Sequence, residues 1–250
     1  MNDPERMRTK DFYEEYWSPS AGDGGSPQGA FSPELRSLIR GVLRPEDRLL
    51  DAGCGDGAKY GTWVATLVGE YLGVDIAEQA VAAARSRGLE AQAVPDLTDL
   101  GLPDASFDAC VTIEVLEHLM FPEAAVAEIR RVLRPGGRVI ATVPNVAYWR
   151  YRMDLALLGR WHPQGHGDGP IRPYRDPHLR FFTVKALRRL FAEGGFDVQT
   201  VTGVNASLFG DLPFVQRRFG TERISRPFAG LQRVLPGLFG STIALVARRP

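Results

Sequence analysis

The chain has 250 residues, 44% of them hydrophobic and 24% charged, which is enough for one α/β domain with added segments and is typical of a globular protein. Its 30 basic and 30 acidic residues cancel, so the bulk charge gives no reason to expect nucleic acid or an anionic membrane as a partner. The two cysteines, Cys54 and Cys110, are too few for a disulfide scaffold or a zinc site and favour a reducing, cytoplasmic setting.

The N-terminal part is expected to stand apart from the body of the protein. Residues 11–17, "DFYEEYW", form an aromatic segment, and the Ser-, Pro- and Gly-rich residues 18–33 are typical of a flexible linker. Apolar residues at helical spacing then predict a helix over 33–43. We therefore predict a helical cap with a linker over 1–47 and one domain over 48–250.

From residue 48 onward, apolar strands alternate with helical patterns. The predicted strands are 48–53, 70–75, 90–94, 107–113, 138–144, 197–204 and 241–249. The predicted helices between them are 57–68, 77–88, 121–137 and 183–195. Such alternation predicts an α/β fold with a doubly wound parallel sheet.

Three other stretches depart from this alternation. Residues 145–182 and 205–240 interrupt it, and loops of that length inside a domain usually serve as lids or substrate platforms. The apolar stretch at 228–250 contains no uncharged run of about 18 residues, so a membrane span is not expected. Contact with a lipid surface stays open.

The glycine turn after the first strand, "LLDAGCGDGAKYG" at 49–61, fits two kinds of nucleotide-like ligand. Its glycines and Ala58 satisfy the G-x-G-x-x-G/A fingerprint of dinucleotide enzymes, and the same glycines spell the G-x-G-x-G turn that holds S-adenosylmethionine. Asp51 separates the two, because a carboxylate there repels a pyrophosphate, whose natural partners are helix N-termini and bare amides. The same carboxylate attracts the ammonium and sulfonium groups of S-adenosylmethionine, so the charge favours the methyl donor.

Four stretches in order resemble the motifs of class I S-adenosylmethionine-dependent methyltransferases. They are "LLDAGCGDG", "LGVDIAEQAV", "AVPDLTDLGLPDASFDACVTIEVLEHL" and "LRPGGRVIATVPN", and together they cover about 48–145. The resemblance implies a Rossmann-like, seven-stranded sheet, mostly parallel with a reversed last strand and with helices on both faces. It also implies S-adenosyl-L-methionine as the cosubstrate and a small molecule as the methyl acceptor.

Within these motifs the resemblance implies a role for each matching residue. Those implied to surround the methionyl part of the donor are Asp51, Gly53, Cys54, Gly55, Ile113 and Glu114. Those implied to contact the adenosine are Asp75, at the ribose hydroxyls, and Ile76, Asp96 and Leu97, at the adenine. Pro95, where glycine is common in the family, and the inserted Gly101 leave the register of the last loop open, with Asp99 as the alternative to Asp96.

His118, in "EVLEHL", is the candidate catalytic residue. It follows the fourth strand and is expected to face the cleft, where it would remove a proton from a hydroxyl or phenol acceptor; a capping or supporting role is the alternative. If the segment is helical, Glu114, Glu117 and His118 share one face, a spacing that suits a divalent ion. Structural hydrogen bonding explains the same spacing, and no metal is assigned.

The first interrupting segment resembles a branch related to the ubiquinone, sugar and natural-product O-methyltransferases, through "YWRYR", "LLGRW" and "HLRFFT". The residues implied to line the acceptor are Tyr148, Trp149, Arg152, Trp161, His178 and Arg180. Oxygen is therefore the expected acceptor atom. The alternatives are a nitrogen, sulfur or carbon acceptor, a lipid-linked acceptor, or a non-catalytic methyltransferase-like partner protein.

Two further expectations concern partners and the N-terminal aromatic residues. Nucleic acid is not expected, because no N/D-P-P-Y/F/W motif follows the fourth strand, and the oligomeric state stays open. Tyr13, Tyr16 and Trp17 either cover the sulfonium of the donor through cation–π contact or dock an N-terminal helix on the sheet.

Overall fold

The computed structural model describes residues 10–11, 13–17, 32–159, 178–205 and 234–250. At its centre lies a seven-stranded sheet with the strand order β3-β2-β1-β4-β5-β7-β6. The strands are β1 Arg48–Ala52, β2 Glu70–Asp75, β3 Ala91–Ala93, β4 Phe107–Ile113, β5 Leu133–Pro144, β6 Asp197–Val204 and β7 Thr242–Arg248. Only β7 runs antiparallel to its neighbours, β5 and β6; the other adjacent pairs are parallel. The predicted Rossmann-like sheet with a reversed last strand is confirmed.

Helices cover both faces of this sheet. The helices with both ends given are α1 Pro33–Val42, α2 Gly61–Ala65, α3 Glu78–Ser86, α4 Pro122–Val132, α5 Trp149–Leu158, α6 Val184–Glu193 and α7 Pro236–Phe239, and residues 10–11 and 13–16 are helical as well. One apolar cluster joins the sheet to α4 and α6, and a second joins it to α1, α2 and α3. Strand side chains alternate between the two clusters, so Leu50 packs in the first and Leu49 in the second, both fully buried. Such burial of a leucine stabilises the fold by about 1.5–3 kcal/mol.

Two predicted helices are shorter in the structure, for local backbone reasons. The one predicted over 57–68 is reduced to α2, because the glycine turn ahead of it has positive φ angles that a right-handed helix does not tolerate. The one predicted over 121–137 ends at Val132, and β5 begins at Leu133 rather than at residue 138. Proline and glycine at 135–137 therefore lie within the irregular start of a strand, where the register against β4 shifts.

The two interrupting segments are described only in part. In the first, α5 is described and residues 160–177 lie outside the described residues; in the second, residues 206–233 do. The linker predicted over 18–33 also lies outside them, except for its last two residues. The base of the first segment is tied to the sheet, since Asn145 bridges to Phe182 and its side-chain amide donates to the Gly240 carbonyl at 2.7 Å. Within the described part of the chain, every helix is too short or too polar to cross a membrane.

Candidate active site

The glycine turn lies at the carboxyl end of β1, beside the point where the strand order reverses between β1 and β4. It is fastened to β2, because the Gly53 and Cys54 amides donate to the Val74 carbonyl at 2.8 and 3.0 Å. Gly55 has a φ of +53°, and a Cβ there would lie 2.8 Å from the Trp17 indole ring. Glycine is required at this position both for the backbone conformation and for the close approach of a flat ring.

Asp51 is fully buried at the base of the turn, and two tyrosines hold its carboxylate. The Tyr71 hydroxyl donates to Oδ2 at 2.6 Å, and the Tyr60 hydroxyl donates to Oδ1 at 3.2 Å. Burial raises the pKa of Asp51 to about 7, and the two hydrogen bonds oppose that rise. Neither tyrosine was singled out from the sequence. Gly73 lies opposite Asp51 on β2, and a Cβ there would lie 3.2 Å from the Tyr71 hydroxyl. A glycine at this strand position is the sequence feature that could have pointed to Tyr71.

Asp75 ends β2 with its carboxylate fixed by backbone amides. Gly55 N–H donates to Oδ2 at 2.9 Å, and Ala77 N–H donates to Oδ1 at 3.0 Å. Each oxygen of an ionised carboxylate can accept a second hydrogen bond, so the group retains capacity for hydroxyl donors. Burial raises its pKa. The next residue, Ile76, is half-buried. The structure thus joins Asp75 to the glycine turn directly.

The loop after β3 holds the residues predicted to meet the adenine. Asp96 is half-buried, and its Oδ1 accepts from the Thr98 amide at 2.9 Å, which shapes the turn. Leu97 packs partly against the core, and Asp99 is exposed. Both the Asp96 assignment and its Asp99 alternative stay predictions, with Asp96 the more enclosed of the two.

Ile113 and Glu114 lie at the carboxyl end of β4, and the backbone turns sharply there. Glu114 has a φ of +57°, and its carboxylate accepts from the Thr142 hydroxyl at 2.9 Å. Burial, with the nearby Glu117, raises its pKa to about 7. The face that Glu114, Glu117 and His118 would share in a helix does not form, because this φ excludes a helix and only a 3-10 turn, Leu116–His118, follows.

Glu117 and His118 instead meet His178, from the end of the first interrupting segment. We call these three residues the histidine cluster. Glu117 Oε1 lies 3.8 Å from His118 Nε2 and 3.6 Å from His178 Nε2, and the two imidazole rings stack with centroids 4.5 Å apart. The Glu117 carbonyl accepts from the backbone amides of Leu179 and Arg180 at 2.8 and 2.9 Å. Burial raises the pKa of Glu117 to about 8.

The other residues predicted to line the acceptor differ in burial and in what they contact. Tyr148 is 1% exposed and packs edge-on against Trp149 and Tyr151, so its ring fills interior space. Arg152 donates to the Ala147 carbonyl at 2.6 Å, and Arg180 donates to the carbonyls of Leu179 and Met120. Trp161 lies outside the described residues. Within the described residues, His178 of this set stacks on His118, and the acceptor-binding role of all six stays a prediction.

The N-terminal segment, residues 10–17 without residue 12, crosses the same edge of the sheet. Glu14 accepts from the amides of Glu78 and Gln79, at the start of α3, at 2.8 and 3.2 Å. Farther along, Tyr13 packs edge-on against His118 with centroids 6.0 Å apart, and Trp17 lies over the glycine turn. The segment therefore covers the carboxyl ends of β1, β2 and β4. Glu14 was not predicted from the sequence. Its contact follows a general preference, because a carboxylate is favourable beside the free amides of a helix N-terminus.

A surface cavity of about 600 Å³ lies at the opposite edge of the sheet, where the strands begin. Arginines and carboxylates line it, and they pair with one another: Arg138 with Asp47, and Arg134 with Asp108 at 2.5 Å. Most of its charge is therefore paired within the cavity, and none of its lining residues belongs to the glycine turn. We place the candidate active site at the carboxyl edge.

A doubly wound sheet with a glycine turn and buried carboxylates at its switch point defines a protein that binds a nucleotide-like ligand there. Comparison with known proteins narrows this class. Residues 50–141 match a family model described as a methyltransferase domain. The chain is 34% identical to a ubiquinone biosynthesis O-methyltransferase of Idiomarina loihiensis over 196 residues, which cover 71% of this chain and 76% of that protein. The chain belongs to the S-adenosylmethionine-dependent methyltransferases, and the family resemblance is confirmed.

Two further likenesses define how far this membership reaches. A probable S-adenosylmethionine-dependent methyltransferase of Mycolicibacterium smegmatis is 35% identical over 158 residues, 62% of this chain and 54% of that protein. The chain spans about half the length of this and other curated relatives that it matches. The crystal structure of the [4+2]-cyclase SpnF is similar in fold, with a TM-score of 0.63, 20% identity and coverage of 98% of this chain and 97% of that one. The fold alone therefore does not decide the reaction.

Proposed function

We propose that this protein transfers a methyl group from S-adenosylmethionine to a small-molecule acceptor, with oxygen as the acceptor atom. The observation that carries the proposal is the Asp75 carboxylate, buried at the end of β2 and fixed by the Gly55 amide of the glycine turn. A carboxylate held in that way is preorganised to accept hydrogen bonds from the two ribose hydroxyls of an adenosyl group.

The residues around the glycine turn fit the charge of this donor. Asp51 and Asp75 are buried, and the pKa of each is raised, so each gains from a nearby cation. The donor carries an ammonium and a sulfonium and has no phosphate that these groups would repel. Gly53, Cys54 and Gly55 let the backbone approach such a ligand, and we assign Ile113 and Glu114 to the methionyl side. When bound, the donor supplies a methyl group on positively charged sulfur.

We assign the role of the base to His118. Its ring lies between the edge of Tyr13 and the stacked ring of His178, which fix its orientation. In the proposed step the acceptor oxygen forms a bond to the methyl carbon as the carbon–sulfur bond breaks, and His118 takes the proton that the acceptor hydroxyl loses. Alignment of the acceptor and exclusion of water supply much of the remaining acceleration.

We assign the acceptor side to the first interrupting segment. Its last described part carries His178 onto His118, so a ligand bound by this segment is brought close to the proposed base. The similarity to an O-methyltransferase of ubiquinone biosynthesis supports oxygen as the acceptor atom. Tyr148, Trp149, Arg152, Trp161 and Arg180 complete the proposed acceptor side.

Isothermal titration with S-adenosylmethionine and with its demethylated product tests donor binding. We expect both to bind, and we expect Asp75→Ala to weaken the binding by at least about tenfold, since hydrogen bonds to a charged group are worth about 1.5–3 kcal/mol. Asp104→Ala is the matched control, because Asp104 is an exposed carboxylate ahead of β4, at the opposite edge. If neither S-adenosylmethionine nor its demethylated product gives heat of binding, the proposal is overturned.

Transfer of a labelled methyl group to a panel of phenols, catechols and alcohols tests the acceptor assignment. Amines and thiols serve as the comparison panel. Turnover confined to amines or thiols would retain methyl transfer and overturn the oxygen assignment. Donor binding without turnover on any panel, together with a stoichiometric protein partner recovered from lysate, would indicate the non-catalytic alternative.

A further inference from the structure

We propose that the histidine cluster, Glu117, His118 and His178, is a binding site for a divalent transition-metal ion such as Zn²⁺. Each residue offers one ligand atom, and these atoms all lie within 4.8 Å of one another. Ligands 2.0–2.1 Å from a tetrahedral ion are about 3.4 Å apart. The observed separations from Glu117 Oε1, 3.6 and 3.8 Å, therefore need only a small contraction around an ion.

The second observation is the state of the Glu117 carboxylate. It is 1% exposed, and neither of its oxygens has a hydrogen-bond partner among the residues that the structure describes. A buried carboxylate without hydrogen bonds is costly, and such groups are normally paired or bound to a metal. Oε1 is directed at the two imidazole Nε2 atoms, so the unsatisfied group points to the place where an ion would lie.

An ion pair with protonated histidines is the competing explanation, and the geometry disfavours it. Both Nε2 atoms are beyond hydrogen-bond distance of Oε1, so neither ring satisfies the carboxylate by donating to it. Two imidazolium rings stacked 4.5 Å apart would also repel each other. Two neutral rings that share one cation with the carboxylate avoid both problems.

The backbone preorganises this arrangement. Glu117 and His118 lie in the 3-10 turn after β4, and His178 is 60 positions farther along the chain. The amides of Leu179 and Arg180 both donate to the Glu117 carbonyl, and these hydrogen bonds fix the backbone next to His178. The third ligand is therefore held by main-chain contacts that do not depend on an ion.

The donor set selects among ions. Two imidazoles and one carboxylate are ligands typical of Zn²⁺, and also of Fe²⁺, Co²⁺ and Mn²⁺, whereas Mg²⁺ prefers oxygen ligands and retains its water. Three protein ligands leave a coordination position open, as catalytic zinc sites do. Metal binding is independent of the proposed function. Its use for an acceptor oxygen rests on that function. In the metal-bound protein His118 would be a ligand instead of the base proposed above, and the ion would lower the pKa of the acceptor hydroxyl.

The test is titration of chelator-treated protein with ZnCl₂, and separately with MgCl₂, in the absence of methyl donor. We expect about one equivalent of Zn²⁺ to bind, with Mg²⁺ at least about a hundredfold weaker. Glu117→Gln and His178→Ala should each weaken Zn²⁺ binding by at least about tenfold. Glu123→Gln, at an exposed position on α4, is the matched control and should bind as the wild type does.

A second readout covers a variant that fails to fold. Co²⁺ added to the wild-type protein should give the intense visible absorption of a site with four or five ligands that include nitrogen, and Zn²⁺ should displace it. Circular dichroism verifies the fold of each variant, and His178→Gln replaces His178→Ala if the latter is unfolded. No Zn²⁺ binding to the wild type, or equal binding by the folded Glu117 and His178 variants, would overturn the proposal. Because no donor is present, these results are separate from those of the methyl-transfer assay.

Discussion

Replacing Asp51 by Asn is expected to stabilise the folded protein at neutral pH and to weaken donor binding. Asp51 is fully buried, and burial raises its pKa from 3.8 to about 7. Each pKa unit corresponds to 1.36 kcal/mol, so an ionised Asp51 costs the fold roughly 4 kcal/mol relative to the unfolded chain. Asn has the same shape, does not ionise, and keeps hydrogen-bond partners for both Tyr60 and Tyr71.

The sign of the pH dependence follows from the raised pKa. The folded protein binds the Asp51 proton more tightly than the unfolded chain, so the wild-type free energy of unfolding falls as the pH rises from about 4 to about 7. The variant lacks this decrease. Between pH 5 and pH 8, the free energy of unfolding of Asp51→Asn minus that of the wild type should rise by about 2.5 kcal/mol.

Urea unfolding at pH 5, 6, 7 and 8 measures this difference. Glu114 and Glu117 also have raised pKa values and titrate in both proteins, so their effect cancels in the difference. Asp104→Asn controls for the loss of an exposed carboxylate. A difference that does not change with pH would refute the reasoning, because it would mean that Asp51 does not titrate in this range.

Titration with S-adenosylmethionine at pH 7.5 measures the second effect. We expect the affinity of Asp51→Asn to fall by at least about tenfold, since a charge-assisted contact is worth about 1.5–3 kcal/mol. Higher stability with lower affinity is typical of a residue whose unfavourable burial is retained for binding. If stability rises and affinity is unchanged, Asp51 is structural, and the electrostatic argument for the donor fails.

The remaining predictions concern the base, the ribose site and the turn. His118→Ala should lower turnover by about a hundredfold or more with little change in donor affinity, which steady-state kinetics and titration will measure; unchanged turnover would leave His118 a structural role. Asp75→Ala should weaken donor binding as described above, and surviving affinity would show the ribose assignment to be wrong. Gly55→Ala should destabilise the fold by about 1–2 kcal/mol or more in thermal melts, because Gly55 has a φ of +53° and an added Cβ would lie 2.8 Å from Trp17. Trp17→Ala in the same chain should recover only the steric part of that loss, and a fully additive double variant would contradict the contact.

Much of the fold is predictable from the sequence because the strands of a doubly wound sheet are buried on both faces. "RLLDAG" and "RVIATVP" contain runs that are apolar at consecutive positions, as is typical of a central parallel strand, and helical patterns separate them. The ends of elements were predicted less well where the backbone departs from regular conformations. The positive φ angles of the glycine turn shorten α2, and the irregular start of β5 takes residues that the pattern gave to α4.

The parts of the site that lie next to one another along the chain were also predictable. The glycine turn and Asp75 end adjacent parallel strands, and the carboxyl ends of such strands meet at one edge. Contacts between distant segments were not. His178 is held near Glu117 by backbone hydrogen bonds from Leu179 and Arg180, and Glu14 reaches the start of α3 across 64 positions. Periodicity gives no information on either.

The buried acids at this edge also determine which ligands the site favours. Asp51, Asp75 and Glu117 are buried and Glu114 is half-buried, and desolvation raises the pKa of each. Lys59 acts on the two glutamates in the opposite direction without offsetting their burial. Ionisation of all four therefore requires further positive charge nearby, and without it the raised pKa values favour the protonated, neutral forms. The proposed donor carries an ammonium, a sulfonium and one carboxylate of its own, and the proposed metal ion would add two positive charges, so together they would offset most of the negative charge of the four carboxylates. A phosphate-bearing dinucleotide would add negative charge to the same edge, which is why its burial there is disfavoured whatever its shape.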